Sequence, residues 1–497
     1  MVPAMIVRAC PVAAFLALSA LACGSAGGSS ADASGAAPSP TAPASTDPPG
    51  ATVDSGVPDT SPPVASRADV PAIACADAPS AVYAATVGSG AMTMAERGAI
   101  LRCAKDGPLD AAAIAAQLAG HSVTGIKATS ETTIYRIAYR TYRADGVEGV
   151  STARVYLPTK PRSLPLPVIA VAHPTVGLAD GCAPSMDPAS LPDVALPWAA
   201  RGFAVVAPDY AGLGNDGVQG YAANHDTAHS LLDGARALRV MLAPGALDSR
   251  VLLAGYSQGG GAVLASQALA GTYGAGGDVV AAIAFAPQFF SRIGSFGFEQ
   301  LLRGPQALTI TTGISKPVVT AFRSYSIAYN LLGAANAGVA FPAGARADMT
   351  QAITTLCQTP FGGYLQGVAP IVGDLFDEGF RTSMLACIDG KSGCTGAASQ
   401  MHTWMKNDLV TPDPKGAPVL YVQGLADTIM PPTEEAACNL ALMKSVGVNV
   451  QACTDLTALH STVVPRNVAF AISWGEAKLD GLTAPTCTAD GMPPCMP

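Results

Sequence analysis

Charge is scarce in this chain: 13% of its residues are Asp, Glu, Lys or Arg, and the 28 basic residues are outnumbered by 36 acidic ones. Binding to phosphates requires a clustered basic footprint, so a net charge of -8 with few basic runs argues against a nucleic-acid partner. The six histidines are scattered and none of the 12 cysteines stands in a Cys-x-x-Cys pair. Metal ligands need closer spacing than that, and no metal or other cofactor is expected. No internal repeat is evident. What the chain has instead is 49% hydrophobic residues over 497 positions, more than one minimal domain and enough for a large buried core.

The first residues read as an export signal. Arg8 supplies a positive charge, Ala9 to Leu21 form an apolar stretch too short to span a bilayer, and Ala20-Leu21-Ala22 run directly into Cys23. A small residue followed by cysteine resembles the lipobox of bacterial lipoproteins, which would make Cys23 the lipidated first residue and a lipid anchor the only membrane contact. Simple cleavage near Ala22 is the alternative. From Gly24 to about Pro71 the chain is Ala, Ser, Pro, Gly, Thr and Asp, a composition that cannot bury enough surface to fold and reads as a tether.

Export implies an oxidising compartment, and loss of Cys10 and Cys23 with the signal leaves an even ten cysteines, so disulfides are expected. Proximity in sequence pairs Cys75 with Cys103, Cys387 with Cys394, Cys438 with Cys453 and Cys487 with Cys495, which leaves Cys182 for Cys357. Sequence alone does not fix this connectivity.

Met92 to Leu118 reads as a helical piece, followed by alternating stretches at Thr132 to Tyr142 and Gly149 to Leu157 that pair through an Asp145-Gly146 turn. The rhythm then changes to continuous apolar runs: Val168 to Ala172, Ala204 to Ala207, Val251 to Ala254, Val279 to Phe285 and Pro418 to Val422. Continuous hydrophobicity means strands covered on both faces. With helices such as Asp226 to Met241 and Gly261 to Leu269 between them, the pattern is a parallel α/β sheet with right-handed crossovers. Between the last two runs lie roughly 130 residues where a crossover needs a dozen or more. This insertion, placed at 289–415, is most simply a helical cap dividing a core of 72–288 and 416–476, with a short tail at 477–497.

One apolar run leads directly into Gly255-Tyr256-Ser257-Gln258-Gly259, and a helix follows. Gly-x-Ser-x-Gly alone is weak evidence among 52 glycines, but the strand before it and the helix after it supply the context of a nucleophile elbow. A serine hydroxyl needs a base, and the base needs a carboxylate, in the chain order Ser, Asp or Glu, His. Two histidines follow Ser257: His402 lies in a helical pattern of the insertion, whereas His460 lies in a loop after the last core strand and is the candidate base. Asp427, just past Pro418 to Val422, is the candidate acid. Asp455 is its competitor, and Asp408 and Asp413 lie at the wrong end of the strand. Two backbone amides should hold the oxyanion: Gln258, and Thr175 in the loop His173-Pro174-Thr175-Val176-Gly177, where Pro174 has no N–H. His173 orients this loop.

The segments "AHPTVGLADGCAPS", "APDYAGLG", "GYSQGG" and "APVLYVQGLADTIMPP", with His460 downstream, resemble the secretory lipase family over about Thr132 to Trp474. The resemblance implies an α/β-hydrolase fold with a mostly parallel central sheet and a large inserted helical cap, and cleavage of small-molecule or lipid carboxylic esters. It carries the roles of nucleophile to Ser257, acid to Asp427, base to His460 and second oxyanion donor to the Thr175 loop, and it pairs Cys182 with a cap cysteine, here Cys357. Pro174 departs from the glycine expected at its position. An apolar acyl pocket is expected from segments such as Phe289 to Phe298 and Ala321 to Phe341. The alternatives are an amidase or peptidase using the same triad, or a surface lipoprotein that only binds.

Overall fold

The computed structural model describes residues 68–87, 91–187, 192–291, 298–307 and 315–495. The chain divides into two units, 1–60 and 61–497, and every described residue belongs to the second. The signal, Cys23 and most of the tether lie outside the described residues.

Nine strands build one sheet: β1 (Ile100–Leu109), β2 (Thr132–Tyr142), β3 (Glu148–Pro158), β4 (Leu166–Ala172), β5 (Ala204–Pro208), β6 (Leu247–Tyr256), β7 (Asp278–Phe285), β8 (Val419–Gly424) and β9 (Val450–Asp455), in the order β1-β2-β3-β5-β4-β6-β7-β8-β9. The β1, β2, β3 and β5 neighbours pair antiparallel, and all pairs from β5-β4 to β8-β9 are parallel. The helices outside the insertion are α1 (Pro79–Tyr83), α2 (Ala111–Gly120), α3 (Pro192–Ala200), α4 (Asn224–Met241), α5 (Gln258–Tyr273) and, after it, α12 (Ala437–Val446) and α13 (Val463–Leu479).

The continuous apolar runs have a direct cause. On β4, Val168, Ala170 and Ala172 join a core with α4, α5 and α12, while Ile169 and Val171 join a second core with α2, α3 and α13. On β7, Ala282 and Ala284 face the first core, and Ala281, Ile283 and Phe285 the second. Successive residues at the centre of these strands are buried whichever way the pleat turns them.

The chain between β7 and β8 holds six described α-helices: α6 (Phe298–Arg303), α7 (Lys316–Leu332), α8 (Arg346–Thr355), α9 (Gln358–Val368), α10 (Glu378–Ile388) and α11 (Gly396–Asn407). They close over a hydrophobic cluster that also takes in Leu178, Val218, Tyr221, Ala222 and Met430 from the core loops, with Phe322, Phe341 and Phe361 fully buried and the Phe322 and Phe361 rings stacked 4.7 Å apart. Of the aromatics in the segments expected to line the acyl pocket, Phe290, Phe322, Tyr325 and Phe341 pack in this cluster and Phe289 in the main core, while residues 292–297 lie outside the described residues.

The helical reading of Met92 to Leu118 is also corrected: Ile100–Leu109 is a strand, and only Ala111–Gly120 within that stretch is an α-helix. β1 is an edge strand with two register shifts against β2, so its apolar residues keep no clean alternation. Cys103 within it is bonded to Cys75, and Asp77 accepts the Cys103 N–H at 2.8 Å.

Five disulfides are present: Cys75–Cys103, Cys182–Cys357, Cys387–Cys394, Cys438–Cys495 and Cys453–Cys487. The proximity pairings of Cys438 with Cys453 and of Cys487 with Cys495 are therefore wrong. The reason is the unforeseen strand β9. The tail runs beside this edge strand, Thr454 N–H donating to Thr488 O at 3.1 Å and the Gln451 side chain to Pro485 O at 3.1 Å. Each tail cysteine is thereby brought to a partner in the core. The tail also shields an edge that would otherwise offer unpaired peptide groups.

Candidate active site

Ser257 stands between the end of β6 and the first residue of α5, with φ 55° and ψ -117°. A non-glycine residue at such angles is strained and is tolerated only where its surroundings fix it. Here the Ser257 N–H donates to Phe285 O at 2.9 Å, and its carbonyl accepts from Gln288 N at 2.8 Å and Gly261 N at 3.0 Å. The flanking glycines are required by contact rather than by torsion. A Cβ on Gly255 would lie 2.3 Å from Gly259 O, and one on Gly259 would lie 2.0 Å from Ala172 O.

The other two candidates arrive from the strands farther along the sheet. Asp427 follows β8, and His460 opens the turn between β9 and α13. Gly424 lets these two loops touch, since a Cβ there would meet Ala458 O at 2.3 Å. His460 Nε2 is 2.9 Å from Ser257 Oγ, and His460 Nδ1 is 2.7 Å from Asp427 Oδ2. Asp427 Oδ1 accepts the Ile429 and Met430 N–H groups, both at 2.8 Å, and the Gln423 side chain lies 3.4 Å from Oδ2. A carboxylate only accepts, so Nδ1 carries the proton and, in the neutral ring, Nε2 is left as an acceptor facing the serine hydroxyl. All three side chains are buried. Tyr256 was not singled out from sequence, yet its hydroxyl donates to His460 O at 2.8 Å and its ring lies 5.0 Å from the imidazole.

Gln258 is the first residue of α5, and the first four N–H groups of a helix have no partner within it. The facing loop leaves β4. Thr175 Oγ1 lies 2.6 Å from the hydroxyl of Tyr221, whose burial pushes its pKa well up and keeps it protonated. His173 is buried with Nδ1 2.6 Å from Pro174 O and Nε2 3.1 Å from Asp209 O; burial lowers its pKa, and it braces the loop away from the serine. A pocket of about 410 Å³ opens beside these groups, with Thr175, Ser257, Ile429, Leu459 and His460 in its wall. Among the described residues, the insertion contributes Gln358 to that wall.

The competitors lie elsewhere. Asp455 pairs with Arg466 at 2.7 Å and 2.9 Å. Asp408 caps the start of α4 by accepting from Asn224 N at 2.8 Å and His225 N at 3.1 Å. Asp413 Oδ1 accepts from Lys415 N at 2.9 Å. His402 lies on α11 of the insertion. Among the described residues no group of three or more His, Cys, Asp or Glu could hold a metal, and no helix is long and apolar enough to cross a membrane.

The sheet order, the elbow and the loops after β8 and β9 define an α/β-hydrolase. The family model for secretory lipase matches residues 194–288, a segment running from α3 through Ser257 to the end of β7. The rice cell wall degrading esterase LipA from Xanthomonas oryzae, in a ligand-bound form, is similar in structure with a TM-score of 0.57 at 20% identity, covering 78% of this chain and 100% of its own. Candida antarctica lipase A in its closed state gives 0.57 at 18% identity, covering 80% of this chain and 86% of its own. No curated protein matches the chain. The structural likenesses establish the fold, and the secretory lipase match is confined to the segment around Ser257.

Proposed function

We propose that this protein hydrolyses carboxylic esters with Ser257 as nucleophile, His460 as general base and acid, and Asp427 as the group that orients the imidazole and stabilises its charged form. The unbroken line from Ser257 Oγ through His460 to Asp427, at 2.9 Å and 2.7 Å, carries this reading. His460 takes the serine proton as Oγ attacks the ester carbonyl. The oxyanion of the tetrahedral intermediate is met by the amides of Gln258 and Thr175, and the alcohol leaves with the proton from His460. Water, deprotonated by His460, then attacks the acyl-enzyme, and collapse returns the proton to Ser257 and releases the acid. The triad itself does not choose between ester and amide; the secretory lipase match favours the ester.

The insertion acts as a cap that limits access to the pocket. The protein is exported, and lipidation of Cys23 with residues 24–71 as tether would hold it at the cell envelope. Hydrolysis of p-nitrophenyl acetate, butyrate, octanoate and palmitate by residues 72–497, beside Ser257→Ala, tests the reaction. Turnover lost in the variant supports it. Intact activity in the variant, or no turnover of any ester by disulfide-intact protein, overturns it. Mass spectrometry of the mature N-terminus tests the anchor: a diacylglyceryl mass on Cys23 supports it, and an unmodified start near Cys23 sinks it.

A further inference from the structure

The two backbone donors proposed for the oxyanion come from segments far apart in sequence, the start of α5 and the loop after β4. Strand pairing fixes β4 against β6 only as far as Ala172 opposite Gly255, so Thr175 to Gly177 lie beyond its reach. On one side this loop is held by the insertion: Gln358 N–H donates to Val176 O at 2.8 Å, Gly177 bridges Cys357, and Cys182 is bonded to Cys357. On the other side stands Gln219, fully buried in the segment between β5 and α4. Its Nε2 donates to Gly177 O at 2.8 Å and its Oε1 accepts from Gln258 Nε2 at 3.0 Å. The direction of this relay is forced, because a peptide carbonyl can only accept, so Gln219 presents its amide nitrogen to Gly177 and its oxygen to Gln258. The backbone of Gln219 is pinned in turn, its carbonyl accepting from Ser326 Oγ on α7 at 2.6 Å, while Ser326 Oγ accepts from Tyr221 N at 2.8 Å.

We infer that Gln219 is a positioning residue that sets the Thr175 loop and the Gln258 amide at the spacing an oxyanion requires, an assignment that rests on the triad proposed above. Gln219 touches no reacting atom; it joins Gly177, two residues along the loop from Thr175, to the side chain of Gln258. Three properties suit it to this task. Its side chain both donates and accepts, it is shielded from competing water, and its removal leaves a buried Gly177 carbonyl and a buried Gln258 amide without partners.

The test compares Gln219→Glu, which keeps the shape but sets a carboxylate against the Gly177 carbonyl, with Gln219→Leu, which removes both bonds. Gln258→Met breaks the same relay from its other end while leaving the Gln258 backbone N–H in place. Rates on p-nitrophenyl butyrate are expressed per active site labelled by a fluorophosphonate, so any unfolded fraction does not count. Loss of alignment, as distinct from loss of a donor, should lower kcat by about 10- to 100-fold with KM little changed. The inhibition constant of a trifluoromethyl ketone, whose tetrahedral adduct carries the oxyanion, should rise by a similar factor. A kcat within about twofold of the parent in all three variants, or a KM effect with kcat unchanged, overturns the inference. Activity persisting in Ser257→Ala overturns the triad and this inference together. An inactive Ser257→Ala beside fully active Gln219 variants overturns the inference alone.

Discussion

The α/β core and the inserted helices are both well packed, but they are organised for different ends. In the core, the loops after β4, β6, β8 and β9 converge on one spot, bringing Thr175, Ser257, Asp427 and His460 together from residues widely separated in sequence. In the insertion, the large side chains pack on each other and on core-loop residues such as Tyr221 and Met430, and Gln358 reaches the wall of the pocket. The proposed chemistry lies in the core, then, and the insertion holds one loop of the site from outside it. Substitutions in the two regions should therefore fail differently, the core in rate and the insertion in stability or selectivity.

The sharpest break is expected in the core. Ser257→Ala should lower kcat by about 10⁶-fold with the thermal midpoint little changed, as read by ester hydrolysis beside calorimetry. Asp427→Asn should cost about 10⁴-fold in kcat, since an amide no longer enforces the Nδ1–H tautomer. Asp455→Asn, which weakens the pair with Arg466 and the contacts to Thr457 N and Asn467 but touches neither Ser257 nor His460, should leave kcat near that of the parent. The opposite ranking of these two aspartates would reassign the acid.

The insertion should behave otherwise. Phe361→Ala opens a cavity in a stacked, fully buried cluster and should cost about 3–5 kcal/mol of stability by denaturant unfolding. Turnover of p-nitrophenyl acetate per labelled serine should survive that loss, and its collapse would mean that the insertion takes part in the chemistry. A smaller effect than these losses belongs to Gln358→Ala, where the ratio of kcat/KM for octanoate over acetate should move by about tenfold. An unchanged ratio would remove Gln358 from substrate selection.

The same division governs how much could be read from sequence. The central strands announced themselves because burial on both faces leaves an uninterrupted apolar run, and the elbow because a strand, a glycine-flanked serine and a helix must follow one another there. Asp427 and His460, the proposed acid and base, stood out by strand-end position and chain order, and both lie in one line with Ser257. The edges were not: β1 carries two register shifts, and β9, Val450–Asp455, is short and partly polar because only one side of it is paired within the sheet. Missing β9 hid the path of the tail, and with it two of the five disulfides. Gln219, Gln423 and Tyr256 left no signal at all. Their role is to support another residue across space, and nothing in local spacing marks such a partner.

The tail has a consequence for how the protein withstands proteolysis. Asp480 to Thr483 are exposed, the kind of site an extracellular protease cuts first. A cut there would leave 483–497 attached through both Cys453–Cys487 and Cys438–Cys495, still lying along the edge of the sheet. The nicked molecule would run as one chain on a gel until reduced, and only the loss of both bonds would release the fragment. Damage at this point would be retained rather than propagated.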